Sequence, residues 1–220
     1  MSKKRTPTRF RLPYTCEQVY TMLYAACKAE TESRQKQFQC RDSCKQHILS
    51  VAKWLTSNDS TFGLFLSGNK GNGKTTLVKA LKSLYGFVHS DELYTPTDRN
   101  ELPYGGFDIV TAKELVTMAK AYNNQARENQ NMASRYKLLK DIEILCIDDV
   151  GTEPKENMSY GDVITSVTDV ILYRYDKQYC TILTSNLTPQ EIATYYDERI
   201  HDRLKEMCKV VNFANEQSFR

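Results

Sequence analysis

Residues 62–81 run Phe-Gly-Leu-Phe-Leu-Ser, then Gly68-Asn69-Lys70-Gly71-Asn72-Gly73-Lys74-Thr75, then Thr-Leu-Val-Lys-Ala-Leu. That is an apolar strand, a glycine-rich loop and the opening of an amphipathic helix. The loop keeps the spacing G-x-x-x-x-G-K-[ST], and its glycines let backbone N–H groups turn inward around an anion with no Cβ in the way. Lys74 sets an ammonium against phosphate oxygens, Thr75 offers a hydroxyl to a hard cation, and the helix aims its positive end at the same charge. Gly68 to Thr76 are therefore the expected binding residues, and the expected ligand is a nucleoside triphosphate with Mg²⁺.

A second stretch answers to the first. Ile142 to Val150, Ile-Glu-Ile-Leu-Cys-Ile-Asp148-Asp149-Val, reads as a buried strand ending in two carboxylates. Beside a phosphate loop, Asp148 matches the metal-side acid of a Walker B strand. Asp149 stands where many such ATPases keep the base that polarises the attacking water. The plainer alternative is a pair of acids opening a turn at Gly151.

At 220 residues, with 40% hydrophobic and 26% charged content, the chain can bury one α/β core plus a short appendage. No apolar run reaches the ~20 residues of a membrane span, and Met-Ser-Lys-Lys-Arg lacks the apolar core of a signal peptide, so a cytoplasmic location is expected. In such a compartment Cys16, Cys27, Cys40, Cys44, Cys146, Cys180 and Cys208 are expected as thiols, and the first four lack the paired spacing of structural zinc. Residues 1–56 hold 11 Lys+Arg against 4 Asp+Glu, a charge of +7, which leaves −4 for the remainder. The basic part is thus the appendage, residues 1–56, and residues 57–220 form the expected ATPase domain.

Along the chain, residues 1–13 read as a basic disordered tail, either simply solvated or touching nucleic acid. Helices are expected over Thr15 to Lys36 and again from a cap at Ser43, carrying Ile48, Val51, Ala52 and Leu55. Tyr85 to Gly106, with two prolines and a Gly-Gly pair, reads as a loop insertion of unknown purpose. Phe107 to Val110 is a short strand. Thr111 then caps a helix with Leu115, Met118, Ala119, Tyr122 and Ala126 on one face and Lys113, Lys120 and Arg127 roughly opposite. That row is either an ordinary solvated face or a contact for a phosphate backbone, and spacing alone does not separate the two.

Tyr160 to Tyr175 reads as a helix with Val163, Ile164, Val167, Val170 and Ile171 on its stripe, and Tyr179 to Thr184 as a buried strand leading to Ser185-Asn186. Asn186 suits a γ-phosphate or water contact as well as plain turn chemistry. Glu198 to Leu204 reads as a helix placing Arg199 and Arg203 one turn apart, before a last strand from Lys209 to Phe213.

Taken in order and spacing, Gly68–Thr75, Ile147-Asp-Asp149-Val-Gly151, Leu183-Thr-Ser-Asn186-Leu, Glu198-Arg199-Ile-His-Asp-Arg203-Leu204 and Val210-Val-Asn-Phe213 resemble the AAA+ ATPases of the DnaC/DnaI helicase-loader group. IstB-like transposition ATPases share most of these signatures. The resemblance runs from about residue 43 onward. It implies an α/β P-loop NTPase of the AAA+/ASCE type, a five-stranded parallel sheet in the order 5-1-4-3-2 with helices on both faces, and no separate C-terminal lid. It also implies ATP and Mg²⁺ held between subunits of an oligomer, Asn186 as sensor 1, and Arg203 as the finger acting on a neighbouring subunit with Arg199 beside it. Residues 111 to 141 lie where similar initiator-type ATPases carry helices that contact single-stranded DNA, and by that analogy the resemblance implies a DNA contact for Lys113, Lys120 and Arg127. Asp149 departs from the more usual Glu, which leaves the hydrolysis rate open.

The resulting expectation is an ATP-hydrolysing replication protein that binds single-stranded DNA and a replicative helicase, with no membrane partner. The alternatives are a transposition helper of the IstB type, a DNA-binding adaptor that keeps ATP as a structural ligand, and a small-molecule P-loop kinase.

Overall fold

The computed structural model describes residues 10–89, 107–124, 130–153, 158–159, 162–163 and 166–213. Its main sheet has five strands: β1 (Gly63–Ser67), β2 (Asp108–Thr111), β3 (Ile144–Val150), β4 (Cys180–Ser185) and β5 (Cys208–Asn212). They lie in the order β2-β3-β4-β1-β5, and every pairing is parallel. This is the expected 5-1-4-3-2 sheet read from the other edge.

All five residues of β1 and all six of β4 are buried, as strands covered on both faces require. Alternation divides their side chains between two cores. Leu64, Leu66, Cys146 and Ile182 point to one face, covered by α1 (Cys16–Glu32), α2 (Asp42–Thr56) and α3 (Lys74–His89). Phe65, Leu145, Ile147 and Leu183 point to the other, covered by α4 (Ala112–Asn124), α5 (Gln130–Asp141), α6 (Ser166–Lys177), α7 (Pro189–Tyr195) and α8 (Glu198–Met207).

Local signals start several of these helices. Thr15 and Gln18 exchange the two hydrogen bonds of a capping box at α1, Thr188 and Glu191 do the same at α7, and Thr111 with Glu114 repeats it at α4. Helix α2 differs from expectation: it starts at Asp42 behind Arg41, which makes no side-chain cap, so Ser43 lies inside the first turn.

Other expectations shift for physical reasons. Phe10 and Leu12 are buried, and the Leu12 amide donates to the Leu55 carbonyl at 2.8 Å, so this part of the expected tail belongs to the core. Arg11 lies 4.7 Å over the Trp54 ring and donates to the carbonyls of Ser57, Asp59 and Thr61, closing the turn between α2 and β1. Residues 1–9 lie outside the described residues. Helix α3 runs on to His89, taking the first five residues of the expected insertion, while 90–106 lie outside the description. The helix expected from Tyr160 starts at Ser166, because Met158–Ser159 and Asp162–Val163 pair as a short antiparallel hairpin instead. Tyr160 and Ile164 are not among the described residues.

Arg174 is a polar group the apolar stripe of α6 does not announce. It is fully buried one turn beyond Ile171, and its guanidinium donates to the carbonyls of Ile142 and Cys180 at 2.7 Å and to the Thr181 hydroxyl at 2.9 Å. Longer bonds reach the Leu139, Lys140 and Glu143 carbonyls, so one side chain satisfies the end of α5 and the entries of β3 and β4. Burial lowers its pKa to about 10, which leaves it charged at neutral pH.

Candidate functional site

In an open parallel sheet, ligands bind beyond the carboxyl ends of strands where the order reverses. Here β1, β3 and β4 are neighbours in the sheet, and their carboxyl ends carry the phosphate loop, the two aspartates and Asn186. The structure therefore brings together residues that the chain separates by more than a hundred positions.

The loop has the shape its glycines predict. Gly68, Gly71 and Gly73 have φ of 130°, 88° and 88°, a region that L side chains rarely enter. Lys74 is only 5% exposed, and its Nζ donates to the carbonyls of Gly68 at 2.6 Å and Asn69 at 2.8 Å and to Asn186 Oδ1 at 3.1 Å. Burial holds its amine below the ordinary lysine value, an effect partly offset by the Asp149 and Asp148 carboxylates. Asn72 points elsewhere than its loop neighbours: its side-chain amide donates to the Phe213 carbonyl at 2.8 Å, so it anchors the loop to the end of β5. The Phe213 amide in turn donates to the Ser67 carbonyl at 2.6 Å.

Asp148 is 7% exposed and accepts from the Thr75 hydroxyl at 3.1 and 3.2 Å. The Thr184 hydroxyl donates to it as well, a partner that the sequence reading missed. Thr184 also accepts from the Asp149 amide at 2.9 Å, so one hydroxyl sets both acids. Side chains of adjacent strand residues normally face opposite ways. Here the register with β4 shifts between Ile147 and Val150, and Asp149 adopts a left-handed φ of 58°. That irregularity turns both aspartates into one cleft.

Thr75 and Asp148 present a hydroxyl and a carboxylate within hydrogen-bond reach of each other at the loop, and hard oxygen donors are the set that Mg²⁺ takes. These two fit that ion.

The cleft has a volume of about 730 Å³, and Lys70, Gly71, Thr76, Asp148, Asp149 and Asn186 line its loop end. Arg199 and Arg203 do not line it. Arg199 is exposed on α8, and Arg203 lies 4.5 Å over the Tyr175 ring, donating to its hydroxyl at 2.9 Å and pairing with Glu206 at 3.3 Å. Lys113 is exposed and Lys120 partly so on α4, whereas Arg127 lies outside the described residues. The buried face of α4 is Ala112, Leu115, Val116 and Ala119, and Tyr122, expected on that face, is 46% exposed.

The seven cysteines are free thiols, and burial pushes Cys27 and Cys180 up to about 12, which makes them packing groups at neutral pH. Just past β3, Glu153 is buried, accepts from the Gly151 amide at 2.9 Å and receives the Tyr196 hydroxyl, tying the turn after the aspartates to α7.

A parallel 2-3-4-1-5 sheet with the loop after β1, paired aspartates at the end of β3 and an asparagine after β4 defines a P-loop NTPase fold of the AAA+ type. Among solved structures the chain is similar to the DnaC helicase loader, at 18% identity and a TM-score of 0.55 over 78% of this chain and 90% of that one. It is similar also to DnaI, at 20% identity and 0.53 over 78% and 85%. The AMPPCP-bound DnaA from Aquifex aeolicus matches at 17% identity and 0.51, over 80% of this chain and 48% of that one. The likeness is one of fold. No family model matches the chain, and no curated protein matches it. No helix among the described residues is long and apolar enough to cross a membrane.

Proposed function

We propose that this protein is a Mg²⁺-dependent ATPase of the AAA+ type that acts in DNA replication as a helicase loader does, binding single-stranded DNA and a replicative helicase. The observation that carries the reading is the grouping of Lys74, Thr75, Asp148 and Asn186 at the carboxyl ends of three adjacent strands. The likeness of fold to the DnaC loader and DnaI supports the replication role.

In this reading the loop amides and Lys74 bind and orient the triphosphate, and Thr75 and Asp148 hold the metal, which when bound neutralises charge on the transferred phosphoryl group. Asp149 accepts a proton from the attacking water, and Asn186, held by Lys74, orients that water or the terminal phosphate. Arg203, which does not line its own cleft, acts on the site of a neighbouring subunit, so hydrolysis requires self-association. Lys113 and Lys120, with Arg127, contact the DNA backbone, and residues 1–56 carry the helicase-binding surface.

The test joins two measurements on the full chain: Mg²⁺-dependent ATP hydrolysis with and without single-stranded DNA, and recovery of a replicative helicase from the native host. Hydrolysis abolished in Lys74→Ala together with helicase recovery supports the reading, and absence of nucleotide binding overturns it. A second reading is an adaptor that holds ATP with little hydrolysis. The engagement of Arg203 by Tyr175 and Glu206 favours it, and single-turnover hydrolysis separates the two.

A further inference from the structure

His201 of α8 is only 8% exposed, and neither its Nδ1 nor its Nε2 has a hydrogen-bond partner among the described residues. Its neighbours on the buried stripe, Ile200, Leu204 and Met207, belong to the apolar core on that face of the sheet. Buried polar groups are ordinarily paired, so an imidazole left with two idle nitrogens asks what it is kept for.

The ring stands beside two acids. Nδ1 lies 3.7 Å from Glu198 Oε2, beyond hydrogen-bond reach. Asp202 shares that side of the helix, since positions 198, 201 and 202 span about 100° of its circumference. One ligand atom from each of the three lies within 4.8 Å of the other two. Both carboxylates are exposed, and neither accepts a hydrogen bond among the described residues. Asp197, just before them, is occupied instead in capping the helix, accepting from the Ile200 amide at 2.8 Å.

Acids in a first turn complement the helix dipole and by themselves mark no site. The unpartnered imidazole beside them is what points to a ligand. One imidazole with two carboxylates is a donor set for a first-row divalent ion, whereas Mg²⁺ prefers oxygen alone. Atoms bonded to one Zn²⁺ at about 2.0–2.2 Å stand about 3.4 Å apart in a tetrahedron. The 3.7 Å between Nδ1 and Glu198 is near that value, and both exposed carboxylates are free to rotate toward a shared ion. Two carboxylates also balance the charge of a divalent ion beside the exposed Arg199, while Arg203 is engaged by Tyr175 and Glu206.

We propose that Glu198, His201 and Asp202 form a binding site for a divalent transition-metal ion, with Zn²⁺ the ion its donors suit. None of the three lines the cleft of the phosphate loop, so this site is separate from the pair Thr75 and Asp148. Three protein donors leave a fourth position for water. An ion that bridges Glu198 to Asp202 fastens the first turn of α8, the helix that presents Arg199 and Arg203.

The experiment titrates Zn²⁺ into the full, reduced chain in excess Mg²⁺, followed by calorimetry and by the ring nitrogen resonances of the three histidines. The His201 ring is expected to shift at its Nδ1 as one equivalent binds. Glu198→Gln and Asp202→Asn are each expected to weaken that step by about tenfold or more, and the double variant to remove it. Both side chains are exposed, so the metal-free melting temperature is expected to stay unchanged, whereas Zn²⁺ raises that of the native chain alone. Resonances of His201 that stay in place at saturating Zn²⁺ overturn the proposal, the ion then being held by the free thiols. Native affinity for that equivalent in the double variant overturns it equally.

Discussion

Lys74 and Asn186, 112 residues apart, share a hydrogen bond in which the ammonium donates to the side-chain carbonyl at 3.1 Å. The bond joins the carboxyl end of β1 to that of β4 and holds the lysine with two loop carbonyls as its remaining partners. An incoming phosphate competes for the same donors, so ligand binding exchanges carbonyl partners for anionic ones, which make the stronger bonds.

The pH dependence follows from Lys74. Its lowered pKa means that the folded chain binds fewer protons than the unfolded one between that value and 10.5, so ligand-free stability rises with pH across this window. Phosphate favours the ammonium form, so ATP binding takes up protons there and weakens as pH rises. Calorimetry in two buffers of different ionisation enthalpy measures that uptake, and Lys74→Ala is expected to abolish both the uptake and tight binding.

Asp149→Asn is expected to bind ATP-Mg²⁺ normally and to lower turnover by about 10²-fold or more, the typical contribution of a general base. Asparagine tolerates the left-handed backbone of this position, so the change removes the carboxylate and leaves the φ of 58° in place. Unchanged turnover would assign water activation to another group.

Arg203→Ala is expected to bind ATP and lose hydrolysis on the order of 10³-fold, the contribution of an arginine supplied to the transferred phosphoryl group. Mixing it with Lys74→Ala should recover part of the activity, because some interfaces then pair an intact loop with an intact arginine. Co-assembly is checked by cross-linking. A co-assembled mixture as inactive as its parts would confine Arg203 to its contacts with Tyr175 and Glu206.

Arg174→Met keeps the stem but leaves the Ile142 and Cys180 carbonyls without their donor inside the protein. Each unsatisfied buried acceptor costs about 1–3 kcal/mol, so a loss of about 3 kcal/mol or more is expected in urea unfolding, with little effect if the arginine merely fills space.

Neutralising Lys113, Lys120 and Arg127 together is expected to weaken single-stranded DNA binding and to flatten its log–log salt dependence by roughly 0.7 per lost phosphate contact. An unchanged slope would make the row an ordinary solvated face.

The sheet and the loop end of the site were legible because they are written in local patterns: buried strand runs, glycines in the phosphate loop, acids at a strand end. What stayed hidden depends on partners distant in sequence. Thr184 looks like an ordinary strand residue until β3 and β4 lie side by side, and Arg174 looks like a solvent-facing cation until the carbonyls it serves are assembled around it. Phe38 and Lys36, between α1 and α2, lie where the sequence carries no motif, so only packing brings them to line the same cleft as the phosphate loop. Phe10 and Leu12 read as tail because two prolines and several cations outweigh two apolar residues in composition, though not in burial.

The phosphate loop also depends on the order in which the chain is made. Strand β1 pairs with β4 and β5, Leu64 standing opposite both Ile182 and Lys209, and the loop is tied down by Phe213 through Ser67 and Asn72. A ribosome has therefore released the chain through residue 213 before the earliest motif acquires its walls. Nascent chains that stop short of residue 213 carry every glycine of the loop and lack the scaffold that shapes it, so the loop takes its form only once β5 has been made.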